Sequence, residues 1–149
     1  MFYGYNNAHT GFEFFTIGID ASGARHLSAQ GGLIGGFYTD IVGAAGRIYG
    51  TDGSVVDAER RTKVGSFAGG LVNALAVDPA LGRAYLLNGS QLGVYDLNNF
   101  QLLGTVTVPT PSFDHPALVS TRLLRWGTDG VAFLDQTRLI ILRSPIIGP

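Results

Sequence analysis

Residues 76–109 read AVDPALGRAYLLNGSQLGVYDLNNFQLLGTVTVP, and this stretch decides the fold class. Its apolar residues fall in short runs, each bounded by Gly, Asp, Asn or Pro, as strands between turns do. With the residues just before it, the stretch predicts strands over Val72–Val77, Arg83–Asn88, Gln91–Asp96 and Gln101–Val108. Asn88-Gly89 is a hairpin dipeptide, because both residues accept the positive φ of a primed turn. The first strand, Leu71–Val77, is small and apolar on both faces, which suits the crowded centre of a radial assembly. Four strands in about 40 residues is the content of one propeller blade.

Working outward, the same pattern returns. Gly46–Phe67 (GRIYGTDGSVVDAERRTKVGSF) lies over Gly82–Val106: Gly-Arg-apolar-Tyr, a turn, an apolar run closed by Asp57 or Asp96, a second turn and another strand. Asp20 closes an earlier copy, so the three aspartates mark a period of about 38 residues. The start, FYGYNN, echoes Ile48–Gly53, and at the far end DGVAFL and RLIILRS stand in for GRAYLL and QLGVYDL. Only DAERRTK (Asp57–Lys63) has helical composition, and it is too short to nucleate a helix alone; it is read as a turn entering a charged outer strand.

The expectation is therefore an all-β chain: a β-propeller of four-stranded antiparallel blades. Residues 1–149 form one domain with blade boundaries near 1–34, 35–69, 70–110 and 111–149. A β-sandwich is the alternative. The first unit is expected to lack its innermost strand and the last its outermost, leaving about 3.5–4 blades. Because an open ring exposes strand edges and apolar faces, three completions are weighed: the remainder of a larger propeller, a homo-oligomer, or closure by four imperfect blades.

Composition narrows the function. Apolar residues make up 46% and charged residues 14%, so the chain is globular and weakly charged. A net charge of −1 offers no basic field for nucleic acid. Without cysteine, disulfides, thiolate nucleophiles and cysteine-type zinc sites are excluded. No run approaches the length of a membrane span, and MFYGYNN lacks the basic stretch and apolar core of a signal peptide.

The apolar-Asp-Pro-x-x-Gly-Arg-x-Tyr stretch resembles the bacterial propeller repeats of the YVTN type, which are similar in style to NHL repeats and to the virginiamycin B lyase group. Tyr85–Asn88 stands where the YVTN tetrapeptide does, and Tyr49–Asp52 does so one unit earlier. The closing residues 122–145 are similar to the final blade of such proteins. The resemblance implies the C-terminal blades of a protein with about seven, in an extracellular or periplasmic setting.

The chemistry-bearing residues are sparse. GGLIGG and GAAGRIYG open no helix and so are turns, not phosphate loops. Asp20, Asp52, Asp57, Asp96, Asp129 and Asp135 lack calcium-loop spacing and are expected to bond turn amides. His9, His26 and His115 have no catalytic or metal spacing. No catalytic residue, cofactor or metal is assigned. The binding candidates are Phe113, Asp114 and His115, in VPTPSFDHPAL, a connection longer than its counterpart at Gly69-Gly70. Trp126 is expected to pack between blades. The favoured function is a non-catalytic binding or structural scaffold with a protein or glycan partner. The alternative is a lyase- or quinoprotein-type enzyme using inner-strand groups, for which only Asp40, Asn73, Thr121 and Arg122 are available.

Overall fold

A computed structural model describes residues 1–7, 11–109, 122–134 and 138–148, and among them every regular element is a strand. Four antiparallel sheets follow one another along the chain. The first holds β1 (Phe2–Tyr5), β2 (Phe14–Asp20) and β3 (Gly23–Gln30). The second holds β4 (Ile41–Ala44), β5 (Arg47–Gly50), β6 (Ser54–Asp57) and β7 (Thr62–Ser66). The third holds β8 (Ala74–Asp78), β9 (Arg83–Asn88), β10 (Gln91–Asp96) and β11 (Leu102–Thr107), and the fourth β12 (Leu123–Trp126), β13 (Gly130–Leu134) and β14 (Leu139–Arg143). Each is a plain meander, so strand order in space is strand order in sequence.

β8 packs against both β4 and β12, the leading strands of the sheets on either side. The three leading strands thus share one inner side, and the later strands run outward to exposed edges such as β7 and β11. Side chains alternate across each sheet. Three apolar layers result, one in each gap between consecutive sheets. Phe14, Ile48 and Val56 fill the first gap, Tyr49, Val55 and Leu86 the second, and Tyr85, Val94 and Phe133 the third.

The repeat is exact in register. Tyr3, Tyr49 and Tyr85 stand opposite Thr16, Val55 and Val94. These in turn face Ser28, Gly65 and Gly104 on the outer strand. Immediately after Thr16, Val55 and Val94, each sheet has its one register shift. The turn into the outer strand also repeats. Asp57 and Asp96 accept the amides of Arg60 (2.8 Å) and Asn98 (2.7 Å), and their carbonyls accept the amides of Arg61 (2.8 Å) and Phe100 (2.9 Å). Arg61 and Phe100 share a left-handed backbone, φ 54° and 62°.

The Gly-Arg-x-Tyr motif clasps one sheet to the next. Arg47 donates to Leu97 O at 3.0 Å, and Arg83 donates to Ile146 O at 2.8 Å. Beside each clasp, a side chain of the later sheet fills a glycine notch: Phe100 lies over Gly65, and Ile146 over Gly104. A β-carbon at Gly65 would overlap the Phe100 ring. Gly65→Ala is accordingly expected to cost about 1–3 kcal/mol in urea titration. Adding Phe100→Ala should give a double variant less destabilised than the sum of the two single changes.

Two expectations need correction. The inner strand of the third sheet begins at Ala74, not Val72, because the Val72 amide is spent on Thr51 O (2.8 Å) in the second sheet. In the β9–β10 hairpin, Asn88 pairs with Gln91, so the loop is Gly89-Ser90 and not Asn88-Gly89. Positive φ is confined to Gly89 (54°), which suits a type II′ turn with glycine first.

Candidate functional site

Phe113, Asp114 and His115 lie outside the described residues, as do Thr121, Asp135 and His9. The remaining inner-strand groups serve the backbone. Asp40 accepts the Ile41 amide at 2.8 Å, and Asn73 Oδ1 accepts the Gly89 amide at 2.7 Å; Arg122 is exposed. The aspartates hold turns as expected: Asp20 accepts from Ser22 N, and Asp52 from Ser54 N, both at 2.9 Å. Hydrogen bonds from Ser22 hold the Asp20 carboxyl below its ordinary value, and the Arg60 amide and guanidinium do the same at Asp57. His26 is exposed, its ring edge-on to Phe15.

Trp126 does not pack between sheets; it is 46% exposed. The register gives the reason. Trp126 pairs with Gly130 and Leu124 with Ala132, so these point away from the third sheet, while Leu123, Val131 and Phe133 face it. On the same outward face lie Leu134, Leu139 and Ile141, all largely exposed. The first sheet has the mirror situation: Tyr3, Tyr5 and Phe14 face the second sheet, while Phe2 (58% exposed) and Ile19 (54%) face outward. Both terminal sheets therefore present an apolar face, a feature that marks an interaction surface. Its signal in the sequence is that LIIL and FFTI are apolar on both alternating faces.

A second feature lies in the gap between the first and second sheets. There Met1, Tyr3, Leu27 and Ala58 wall a cavity of about 290 Å³, with Thr16 and Ser28 inside and Glu59 and Arg61 at its mouth. Thr16 is 6% exposed, and its hydroxyl has no hydrogen-bond partner among the described residues. Such a group costs about 1–3 kcal/mol when buried.

The third gap is closed electrostatically. Arg125 donates to Asp78 Oδ2 at 2.8 Å, to Gly130 O at 2.6 Å and to Thr128 O at 2.8 Å, with its guanidinium 5.2 Å from the Tyr85 ring centre. Tyr85 in turn donates to Ile147 O at 2.6 Å.

No protein-family model matches the sequence, and the search of curated proteins finds no match. Among solved structures, the chain is similar to PorZ, a bacterial surface component of the type-IX secretion system of Porphyromonas gingivalis. The likeness has a TM-score of 0.56 at 16% identity and covers 95% of this chain. The fold is that of propeller blades. The chain spans 19% of the PorZ chain's length. Hydrazine synthase of Kuenenia stuttgartiensis is also similar, with a TM-score of 0.40 at 18% identity, over 66% of this chain and 29% of that one. No helix among the described residues is long and apolar enough to cross a membrane, which says nothing of spanning by strands.

Proposed function

We propose that the chain is a non-catalytic β-propeller module, a scaffold of four blades in one domain, whose two terminal blades pack against further blades of a longer propeller. The observation that carries this reading is the pair of outward apolar faces, on β12–β14 and on β1–β2, at the two ends of the row of sheets. Each inner gap is filled by apolar residues from both of its sheets, and the outward faces supply half of such a layer. The Gly-Arg-x-Tyr clasp, used in the second and third sheets alike, supports a kinship with bacterial YVTN-type repeats. Phe113, Asp114 and His115 would then sit on the connection between the third and fourth blades and offer a loop surface to a protein or glycan partner.

Light scattering on the chain over a range of concentrations tests the scaffold. The expected result is reversible self-association through the unpaired faces, with a return to monomer in the Leu124→Ser/Leu139→Ser double variant, whose circular dichroism is unchanged. A wild-type chain that stays monomeric at every concentration and binds no hydrophobic dye would overturn the reading. A single, concentration-stable dimer abolished by the same variant would identify a second copy, not further blades, as the occupant.

A further inference from the structure

The cavity in the first gap is the place where the repeat's own packing rule is broken. At the other two gaps the same positions are sealed. Val55 and Val94 stand where Thr16 stands, fully buried. Gly65 and Gly104 stand where Ser28 stands, each covered by Phe100 or Ile146. In the first gap, Arg61 takes the position of Phe100, as the shared turn and shared left-handed backbone show. Met1 takes the position of Arg47 and Arg83, two residues before the repeated tyrosine, so no guanidinium crosses this gap from that position.

Four positions of one motif thus differ together, and they all line one cavity. A merely loose interface would lose apolar contact. This one also gains polar groups: a hydroxyl on the floor without a partner, a second hydroxyl beside it, and a cation and an anion at the mouth. Pockets that combine apolar walls with a few convergent polar groups are the usual form of a small-molecule site.

The geometry points to a binding site for a small aromatic zwitterion of the α-amino-acid type. The ring takes the place that the Phe100 side chain fills one gap further on, against Tyr3, Leu27 and Ala58. A hydroxyl or similar group on the ring meets Thr16. The carboxylate pairs with Arg61 and the ammonium with Glu59, which together favour a ligand carrying both charges over a simple anion. This site is independent of the scaffold reading, since it lies inside the chain and not on its terminal faces.

The test is a heteronuclear NMR titration of the whole chain with L-tyrosine, L-phenylalanine, tyramine and 3-(4-hydroxyphenyl)propionate. Saturable shifts are expected for L-tyrosine at Thr16, Ser28 and Arg61. Binding should weaken about tenfold for L-phenylalanine, which leaves the Thr16 hydroxyl unpaired, and for each analogue lacking one charge. Two variants restore the residues of the other gaps. Thr16→Val should raise the unfolding midpoint and erase the preference for L-tyrosine over L-phenylalanine. Arg61→Phe should abolish binding while the chain stays folded, because Phe100 already adopts the same backbone. Absence of any shift with L-tyrosine at its solubility limit would overturn the proposal, as would undiminished binding by folded Arg61→Phe. A midpoint raised by Thr16→Val without any ligand effect would reduce the cavity to a packing defect, and the proposal would fall.

Discussion

Tyr85→Ala is expected to lower the unfolding free energy by about 3–5 kcal/mol, measured by urea titration with fluorescence and circular dichroism. Tyr85 is completely buried in the gap between the third and fourth sheets, among Leu87, Val94 and Phe133. Alanine removes the ring that fills this layer, the bond to Ile147 O and the surface under the Arg125 guanidinium together. Tyr85→Phe isolates the hydroxyl and should cost about 1 kcal/mol. The pair of variants also separates a pH effect. Burial pushes the Tyr85 phenol above its ordinary value of 10.0, against the opposing pull of Arg125. Burial raises Tyr49 in the same way. A raised phenol contributes stability that is fully present below pH 10 or so and is lost as pH climbs through the folded-state value. The wild-type chain should therefore lose stability above about pH 10, and Tyr85→Phe should lose less of it over the same range. An identical alkaline slope in the two proteins would show that the Tyr85 phenol is not what titrates.

Asp78→Ala comes second, at about 3 kcal/mol. Its carboxylate and the Arg125 guanidinium are each less than one-fifth exposed, at 17% and 18%. Removing Asp78 leaves that cation against two carbonyls and an aromatic face with no counter-charge, and it also releases the Leu81 amide. Most of the loss belongs to the stranded arginine. Asp78→Ala/Arg125→Met should accordingly recover about half of it, and a double-mutant cycle reads the coupling directly. Additive single effects would mean that the two residues act separately.

Both residues were visible in the sequence, yet their partnership was not. Asp78 belongs to the Asp-Pro-x-x-Gly-Arg stretch and Arg125 to the closing residues, and only the packing of β8 on β12 brings them together. What could be read was whatever depends on neighbours along the chain. The four strands of the third sheet, the charged outer strand after Asp57 and the amide-capping aspartates all follow from local alternation and turn chemistry. Trp126 was misplaced because alternation says that a residue lies on one face or the other, and not which face has a neighbour. The glycine loop of the β9–β10 hairpin was missed by one residue for a related reason: register is settled by the partner strand, here by Leu87 opposite Leu92. The cavity in the first gap was legible only in retrospect. Thr16, Ser28 and Arg61 become unusual once each is laid over its counterpart in the next sheet, and that alignment needs the observed pairing. The loop that carries Phe113, Asp114 and His115 offered composition but no periodicity, so nothing beyond its length distinguished it.

The shared register shift after Thr16, Val55 and Val94 has a consequence for how such a chain can be lengthened. Because each sheet carries its own offset at the same step, no sheet depends on its neighbour to stay in register. The stretch between successive turn aspartates, residues 58–96, is then a cassette with matching ends. It starts just after one amide-capping carboxylate and finishes on the next. A second copy spliced in after Asp96 would bring its own arginine clasp, glycine notch and filling phenylalanine. The array would grow by one sheet, and every existing seam would stay as it is.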